Sequence, residues 1–330
     1  MTFRRKTIVL GSVAAALLIS YILGGIFSPE RRRSSAAERR LFPGFAADRA
    51  VKIELSGQES QVSLVKTGAW TISIDGIPYP AADSKIAILL QELALLRAGK
   101  LVTRNEQTAS TFGFGQADEV RLAVYGSGGE LLCGLSSGKT GAAGRGKYIR
   151  AGTSPEIFET AESMAPYLSA DNRFWQNLKV IPQDVKAADI VGLKIVGRLS
   201  LSGSKDTGSL NYELSRAADQ AGAETWAAME QPGPALDAQK VKNLLDALIA
   251  FEGNDIDGSE RSLKQIRSAP KAVITLTTSN SRVFVLDIGD KLPGDQYPCA
   301  LRDGAYSYRV AEWRVSQALV AKESLITQDR

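Results

Sequence analysis

The longest apolar run comes first: residues 7–27, TIVLGSVAAALLISYILGGIF, carry no charged side chain. About 20 such residues span a bilayer, so the run predicts one transmembrane helix. Further along, the apolar positions change period. Ile86, Leu89, Leu90, Leu93 and Leu96 recur at helical spacing, and 155 residues later Val241, Leu244, Leu245, Leu248 and Phe251 repeat the pattern. Asp83 and Asp237 stand where N-caps belong, and Gly99 and Gly253 where C-caps belong.

The surroundings of the two helices repeat as well. A strand-like run ending at a Trp, Trp70 or Trp226, precedes each, and each Trp reads as a core anchor beside the helix. A Pro-rich turn, GIPYP or QPGP, follows the Trp. After each helix the period falls to two: EVRLAVYGSGGELLCGL and KAVITLTTSNSRVFVLDIG both predict β-hairpins. Then come KYIRAG and CALRDG, a further short strand, and a closing helical stretch. The expected architecture is α+β: an N-terminal transmembrane helix followed by two similar lobes, an internal duplication with antiparallel sheets and one amphipathic helix in each. The expected boundaries are a cytoplasmic N-terminus at 1–6, the anchor at 7–27, a basic juxtamembrane linker at 28–49, and repeats at 50–178 and 185–325.

Charge refines the picture at the anchor. An uncleaved span is favoured over a signal peptide, because the apolar run is long and no small-x-small site follows Phe27. Arg4, Arg5 and Lys6 precede it while Arg31, Arg32, Arg33, Arg39 and Arg40 follow it, so positive charge lies on both sides and the count alone slightly favours a cytoplasmic body. The net charge of +4 is concentrated here: residues 1–40 hold 8 Lys/Arg against 2 Asp/Glu, leaving 32 against 34 in the rest. The folded part is not basic, which argues against nucleic-acid binding. The five arginines after the span suit anionic lipid headgroups or a solvated stalk.

Candidate chemistry is sparse. The 330-residue chain has no histidine, which removes Ser-His-Asp and Cys-His nucleophilic sites and the His-Glu-x-x-His zinc helix. Cys133 and Cys299 are too few for a metal cluster and form no Cys-x-x-Cys pair; one disulfide and two small apolar strand residues both fit them. Gly138-Lys139-Thr140 evokes a phosphate-binding loop, but Cys133 occupies the position of the first glycine and a strand-like segment, not a helix, follows. The second repeat, which aligns Gly289 with Gly134, has nothing like it, so the segment reads as the loop between a hairpin and its next strand. NDIDGSE, residues 254–260, resembles a calcium loop only faintly, because Lys264 stands where a bidentate Glu is needed; it reads as a helix-terminal turn. Asp287 and Asp290 are spaced like strand-end and turn residues. No catalytic, cofactor-binding or metal-ligating residue is assigned, and no cofactor is expected.

The phrases Phe112-Gly113-Phe114, Gly134 as the glycine closing the hairpin, and Tyr148-Ile149-Arg150, together with the anchor and the Trp-turn-helix units, resemble domain-of-unknown-function family 4340. The second repeat departs from it, with Ala300-Leu301-Arg302 in place of the tyrosine phrase. The resemblance implies an envelope protein of the bacterial inner membrane with a body facing the periplasm or exterior, often linked to gliding-motility-type ABC transporters. The expected function is a non-enzymatic accessory or binding subunit of an envelope ABC transport system, its partners a permease or ATPase and membrane lipids. A free-standing envelope scaffold or glycan-, lipid- or protein-binding protein is the alternative, and a hydrolase a third.

Overall fold

The computed structural model describes residues 39–142, 144, 146–160, 163–198, 210–218, 224–229 and 235–327. The expected anchor at 7–27, Arg31, Arg32, Arg33 and the QPGP turn lie outside the described residues. Among those described, no helix is long and apolar enough to cross a membrane. The chain is mixed α+β and divides at Asn177–Leu178 into two compact units, each with its own sheet.

The first unit contains strands β1 (Lys52–Ser56), β2 (Gln61–Lys66), β3 (Trp70–Ile74), β4 (Ile77–Pro80), β5 (Lys100–Thr103), β6 (Val120–Tyr125), β7 (Leu131–Thr140), β8 (Lys147–Ala151) and β9 (Ile157–Glu159). They form one sheet in the order β4-β3-β2-β1-β6-β7-β8-β9-β5. Helix α1 (Asp83–Leu95) buries Ile86, Leu89, Leu90 and Leu93, each contributing about 2 kcal/mol by leaving water. The short helix α2 (Asn172–Trp175) closes the unit, with Trp175 fully buried and its indole N–H donating to the Ser169 carbonyl at 2.8 Å.

The second unit contains β10 (Ile190–Gly197), β11 (Leu210–Ala218), β12 (Glu224–Ala228), β13 (Asp255–Asp257), β14 (Ala272–Thr278), β15 (Val283–Ile288), β16 (Gln296–Leu301) and β17 (Ser307–Ala311). Its sheet runs β12-β11-β10-β14-β15-β16-β17-β13, which is the first order strand for strand once β4 is set aside. In β14 burial alternates without a break, Ala272, Ile274, Leu276 and Thr278 facing inward, as period-two patterning requires. Helices α3 (Ala238–Ile249), α4 (Glu260–Ser268) and α5 (Glu312–Ala318) complete it.

Backbone bonds at the helix ends repeat between units. The Ala82 N–H donates to the Trp175 carbonyl as Asp237 N–H does to Leu325, and Leu41 N–H donates to Leu96 as Val180 N–H does to Phe251. Lys85 reaches the Phe174 carbonyl and Lys240 the Ile326 carbonyl, tying each helix to its closing segment. Because Leu41 and Arg39 are bonded to Leu96 and Ala98, residues 39–49 of the expected linker belong to the first unit.

Several local expectations change. Both hairpins form, but each Trp-containing run breaks into two strands, so Trp70 opens β3 instead of ending a strand, and Trp226 lies within β12. Trp70 is buried and Trp226 only half-buried, so only the first is a core anchor. GIPYP is not a turn: it supplies β4, whose Tyr79 lies opposite Ile72. Asp237 caps α3 by accepting the Gln239 and Lys240 N–H groups, whereas Asp83 sits one residue inside α1 and accepts the Trp70 N–H instead. Neither glycine is a C-cap, since Leu96 and Ala250 hold those positions. Gly99 has φ +62°, and a Cβ there would strike the Glu159 carbonyl at 2.5 Å, so it lets β5 close onto β9.

Candidate functional site

The phrases that carried the family resemblance meet in space. A 3-10 helix, Glu106–Phe112, starts where the Asn105 side chain accepts the Gln107 N–H and stops at Gly113, whose φ of 90° is left-handed. Phe112 then meets Tyr148 edge-on, ring centroids 4.9 Å apart, and the Arg150 guanidinium lies 4.8 Å over the Phe114 ring. Ala109, Phe114 and Ile157 are the buried heart of this cluster.

Gly138-Lys139-Thr140 belongs to the same arrangement. It is the end of strand β7, not the loop expected, and Thr140 still pairs with Lys147. A Cβ on Gly138 would collide with the Phe112 carbonyl oxygen, and one on Gly113 would come 2.7 Å from the Lys139 nitrogen. The glycines let two backbones approach, and Lys139 points out exposed. Gly134, expected at the hairpin's closure, is mid-strand opposite Ala123; the turn lies between Tyr125 and Leu131.

Sheet register also corrects the alignment of the repeats. Ser136 faces Arg150 as Asp287 faces Ala300, and Ile149 faces Phe158 as Cys299 faces Tyr308. Tyr148-Ile149-Arg150 therefore corresponds to Pro298-Cys299-Ala300, two residues before Ala300-Leu301-Arg302, and Gly138, not Gly134, corresponds to Gly289.

Beside the aromatic cluster lies the charged group that sequence reasoning missed. Glu119 is buried, its carboxylate accepting the Gly115 N–H at 2.7 Å and Arg121 Nε at 3.1 Å, with an Arg150 nitrogen at 3.6 Å. Burial alone would push its pKa up, but the bonds from Arg121 and Gly115 and the charges of both arginines outweigh that and hold the carboxyl below its usual range. It stays ionised at neutral pH and serves as an anchor, not as a proton donor. Glu119 and Arg121 line a cavity of about 320 Å³ with Ser56 and Gln116. At Gly57 and Gln58 this meets a second of about 500 Å³, lined by Lys147, Ser169 and Asp171. Burial pulls the Lys147 ammonium's pKa down, Asp118 opposing, and its Nζ donates to the Leu168 carbonyl at 3.1 Å.

In the second unit Asp287 is fully buried and bound by Arg302 in a fork, Nη2 at 2.5 Å and Nε at 3.1 Å. Asp290 forms a separate exposed pair with Lys271, so the two aspartates are not one acid–base pair. The run 254–260 makes strand β13 and the Ser259 N-cap of α4; Asp257 accepts from the Ser259 N–H and from the Ser259 and Ser262 hydroxyls, its carboxyl held low by these bonds against its burial. Asp257, Ser262, Tyr308 and Pro298 border a cavity of about 330 Å³. Cys133 and Cys299 are free buried thiols, the first pushed up to about 12 by burial and the second higher still, so neither is a reactive thiolate. Among the described residues no group of three acidic, Cys or His side chains is placed to hold a metal ion.

Sequence signals for Glu119 and Asp287 were faint, since an acid next to or within an apolar strand looks like any solvent-facing residue of the alternation. What the fold defines is a two-unit α+β protein whose sheets share one strand order and whose buried acids are tied to arginines. Residues 70–265, more than half the chain, match the family described as Domain of unknown function (DUF4340), and the chain belongs to that family. An "Uncharacterized protein" of Treponema pallidum (strain Nichols) is 23% identical over 133 residues, 40% of this chain and 42% of that relative, so the match spans less than half of either. No solved structure matches.

Proposed function

We propose that this protein is a non-enzymatic, membrane-anchored accessory or binding subunit of an envelope ABC transport system, held in the inner membrane by residues 7–27 with both units outside the cytoplasm. The observation that carries the reading is the uncharged 21-residue run placed ahead of two units with one strand order. That shared order also supports reading the second unit as a duplicate of the first. The chemistry of the interior agrees: Glu119 and Asp287 are committed to arginines and both thiols are held protonated, so these four buried groups serve architecture.

Two experiments test it. A C-terminal alkaline phosphatase fusion should be active and a C-terminal green fluorescent protein fusion dark; the reverse result would put the units in the cytoplasm. Affinity capture from detergent-solubilised membranes should recover a permease or ATPase, and repeated recovery of the protein alone would defeat the transport assignment.

The adjoining cavities of the first unit favour a second reading, a free-standing envelope protein that holds a small polar ligand there. Lys147→Met would weaken such a ligand while leaving any transporter capture intact.

A further inference from the structure

The two units can be compared at the point where the chain enters each. In the second unit the entering residue Lys179 bridges to Glu252 just past the end of α3, a complementary pair. In the first unit the equivalent bridge joins Arg40 to Arg97 just past α1, so two residues of like charge are paired across it. Like charges set directly across a bridge repel. Among the described residues neither arginine is paired with a carboxylate, and both are exposed. Nearby, Arg39 and Arg104 share the single carboxylate of Glu156.

The helix that leads into this bridge is also unlike its counterpart. α1 leaves Ile88 39% and Leu95 54% exposed, seven residues apart and so on one face. Asn243 on α3 and Ala250 at its C-cap hold the corresponding places, 155 residues on. Leu95 lies two residues from Arg97, and Glu92, between Ile88 and Leu95 on the helix, accepts the Ser163 hydroxyl at 3.0 Å. An exposed apolar side chain next to arginines that have no carboxylate partner among the described residues is the composition of a surface that lies in a headgroup layer.

Chain length says which surface. Eleven residues, 28–38, separate the end of the expected span from Arg39, and at full extension they reach no more than about 40 Å. In sequence the same eleven carry Arg31, Arg32 and Arg33 against Glu30 and Glu38, a net charge of +1 leading toward Arg39 and Arg40.

We infer that the Arg39–Arg40–Arg97 corner of the first unit, with Leu95 and Ile88 of α1, docks on the anionic surface of the membrane that holds the anchor. The inference rests on the anchored reading and adds a second attachment to it. Anionic headgroups neutralise the paired like charges and the apolar pair enters the interface; span and patch together fix the unit's orientation, which the span alone leaves free.

The test uses the full-length protein in vesicles of phosphatidylcholine, with and without roughly one third phosphatidylglycerol. Single labels are placed by Leu17→Cys, Leu95→Cys and Glu59→Cys, the last on the exposed β1–β2 turn, and lipid-borne quenchers are set at acyl-chain and headgroup depth. The native thiols are buried. The Leu17 label should be quenched from the acyl chains in both vesicles. The Leu95 label should be quenched from the headgroups only with phosphatidylglycerol, about threefold or more above the Glu59 label, and Arg40→Glu with Arg97→Glu should abolish this while Arg40→Lys with Arg97→Lys retains it. A quenched Leu17 beside an unquenched Leu95 would overturn the docking surface and leave the anchor standing. An unquenched Leu17 would remove the anchor and this inference together. Quenching of Leu95 equal in both vesicles, or its protection only by a copurifying subunit, would also overturn the proposal.

Discussion

The two units solve one packing problem differently. At the corner where β7 meets β8 in the first and β15 meets β16 in the second, the equivalent glycines are Gly138 and Gly289. Above Gly138 a 3-10 helix lays its backbone on the strand and inserts Phe112 and Phe114 against Tyr148 and Arg150. Above Gly289 the helix α4 stands further off: a Cβ would meet Pro298 at 3.0 Å and Ile266 at 3.6 Å, and a cavity of about 330 Å³ remains. A sheet order therefore does not dictate how its faces are filled. The residues between β5 and β6, or between β13 and β14, decide that, and the family-matching phrase lies in the more tightly filled version.

The comparison breaks most readily at Arg302. Replacing it by Ala strands the buried Asp287 carboxylate, and the second unit should lose about 3–5 kcal/mol, whereas Asp287→Asn leaves a half-exposed guanidinium and should cost clearly less. Denaturant titration of the two variants reads the asymmetry, and equal losses would mean that the pair is not truly buried. Next come the glycines: Gly138→Ala should cost about 2–3 kcal/mol because backbone must move, and Gly289→Ala under about 1 kcal/mol. Indistinguishable unfolding midpoints would show that the two corners are filled alike. A smaller effect concerns acid. The Glu119 carboxyl is held low in the folded state, so its stabilisation is present above the ordinary carboxyl value of 4.5 and is lost as pH falls through the lower folded value. Acid titration of stability should reveal a component below pH 4.5 that Glu119→Gln removes, with no matching Glu at that place in the second unit, where Lys271 precedes β14. Last, Lys139→Ala, on an exposed strand end, should alter stability by less than about 0.5 kcal/mol and leave nucleotide binding unchanged; loss of measurable ATP binding would revive the phosphate loop.

How much of this was legible beforehand depends on the range of the interaction involved. The helices announce themselves because Ile86 through Leu96 and Val241 through Phe251 fall on one face, and all ten are buried. The hairpins do so because alternation and glycine or serine turns are local signals. The caps differ by a single residue: Asp83 and Asp237 are 154 apart while the apolar faces are 155 apart, which puts one aspartate outside its helix and the other inside. KYIRAG and CALRDG match glycine to glycine, Gly152 to Gly304, but that match is two residues out of register, since the strand pairing makes Arg302 the counterpart of Gly152. That pairing is seen in the bonds Gly152 N–H to Gly134 and Arg302 N–H to Val285.

By itself the sequence determined the α+β class, two similar lobes after one apolar run, the helix faces, both hairpins and the family, since all of these follow from periodicity and from short ordered phrases along the chain. Only the tertiary structure decided that Gly-Lys-Thr is the end of a strand pressed against Phe112, that Glu119 and Asp287 are buried against arginines, and that Arg40 opposes Arg97 where Lys179 faces Glu252. Each of these is a contact between segments distant in sequence, set by strand register and by backbone approach, and no local pattern of residues encodes either.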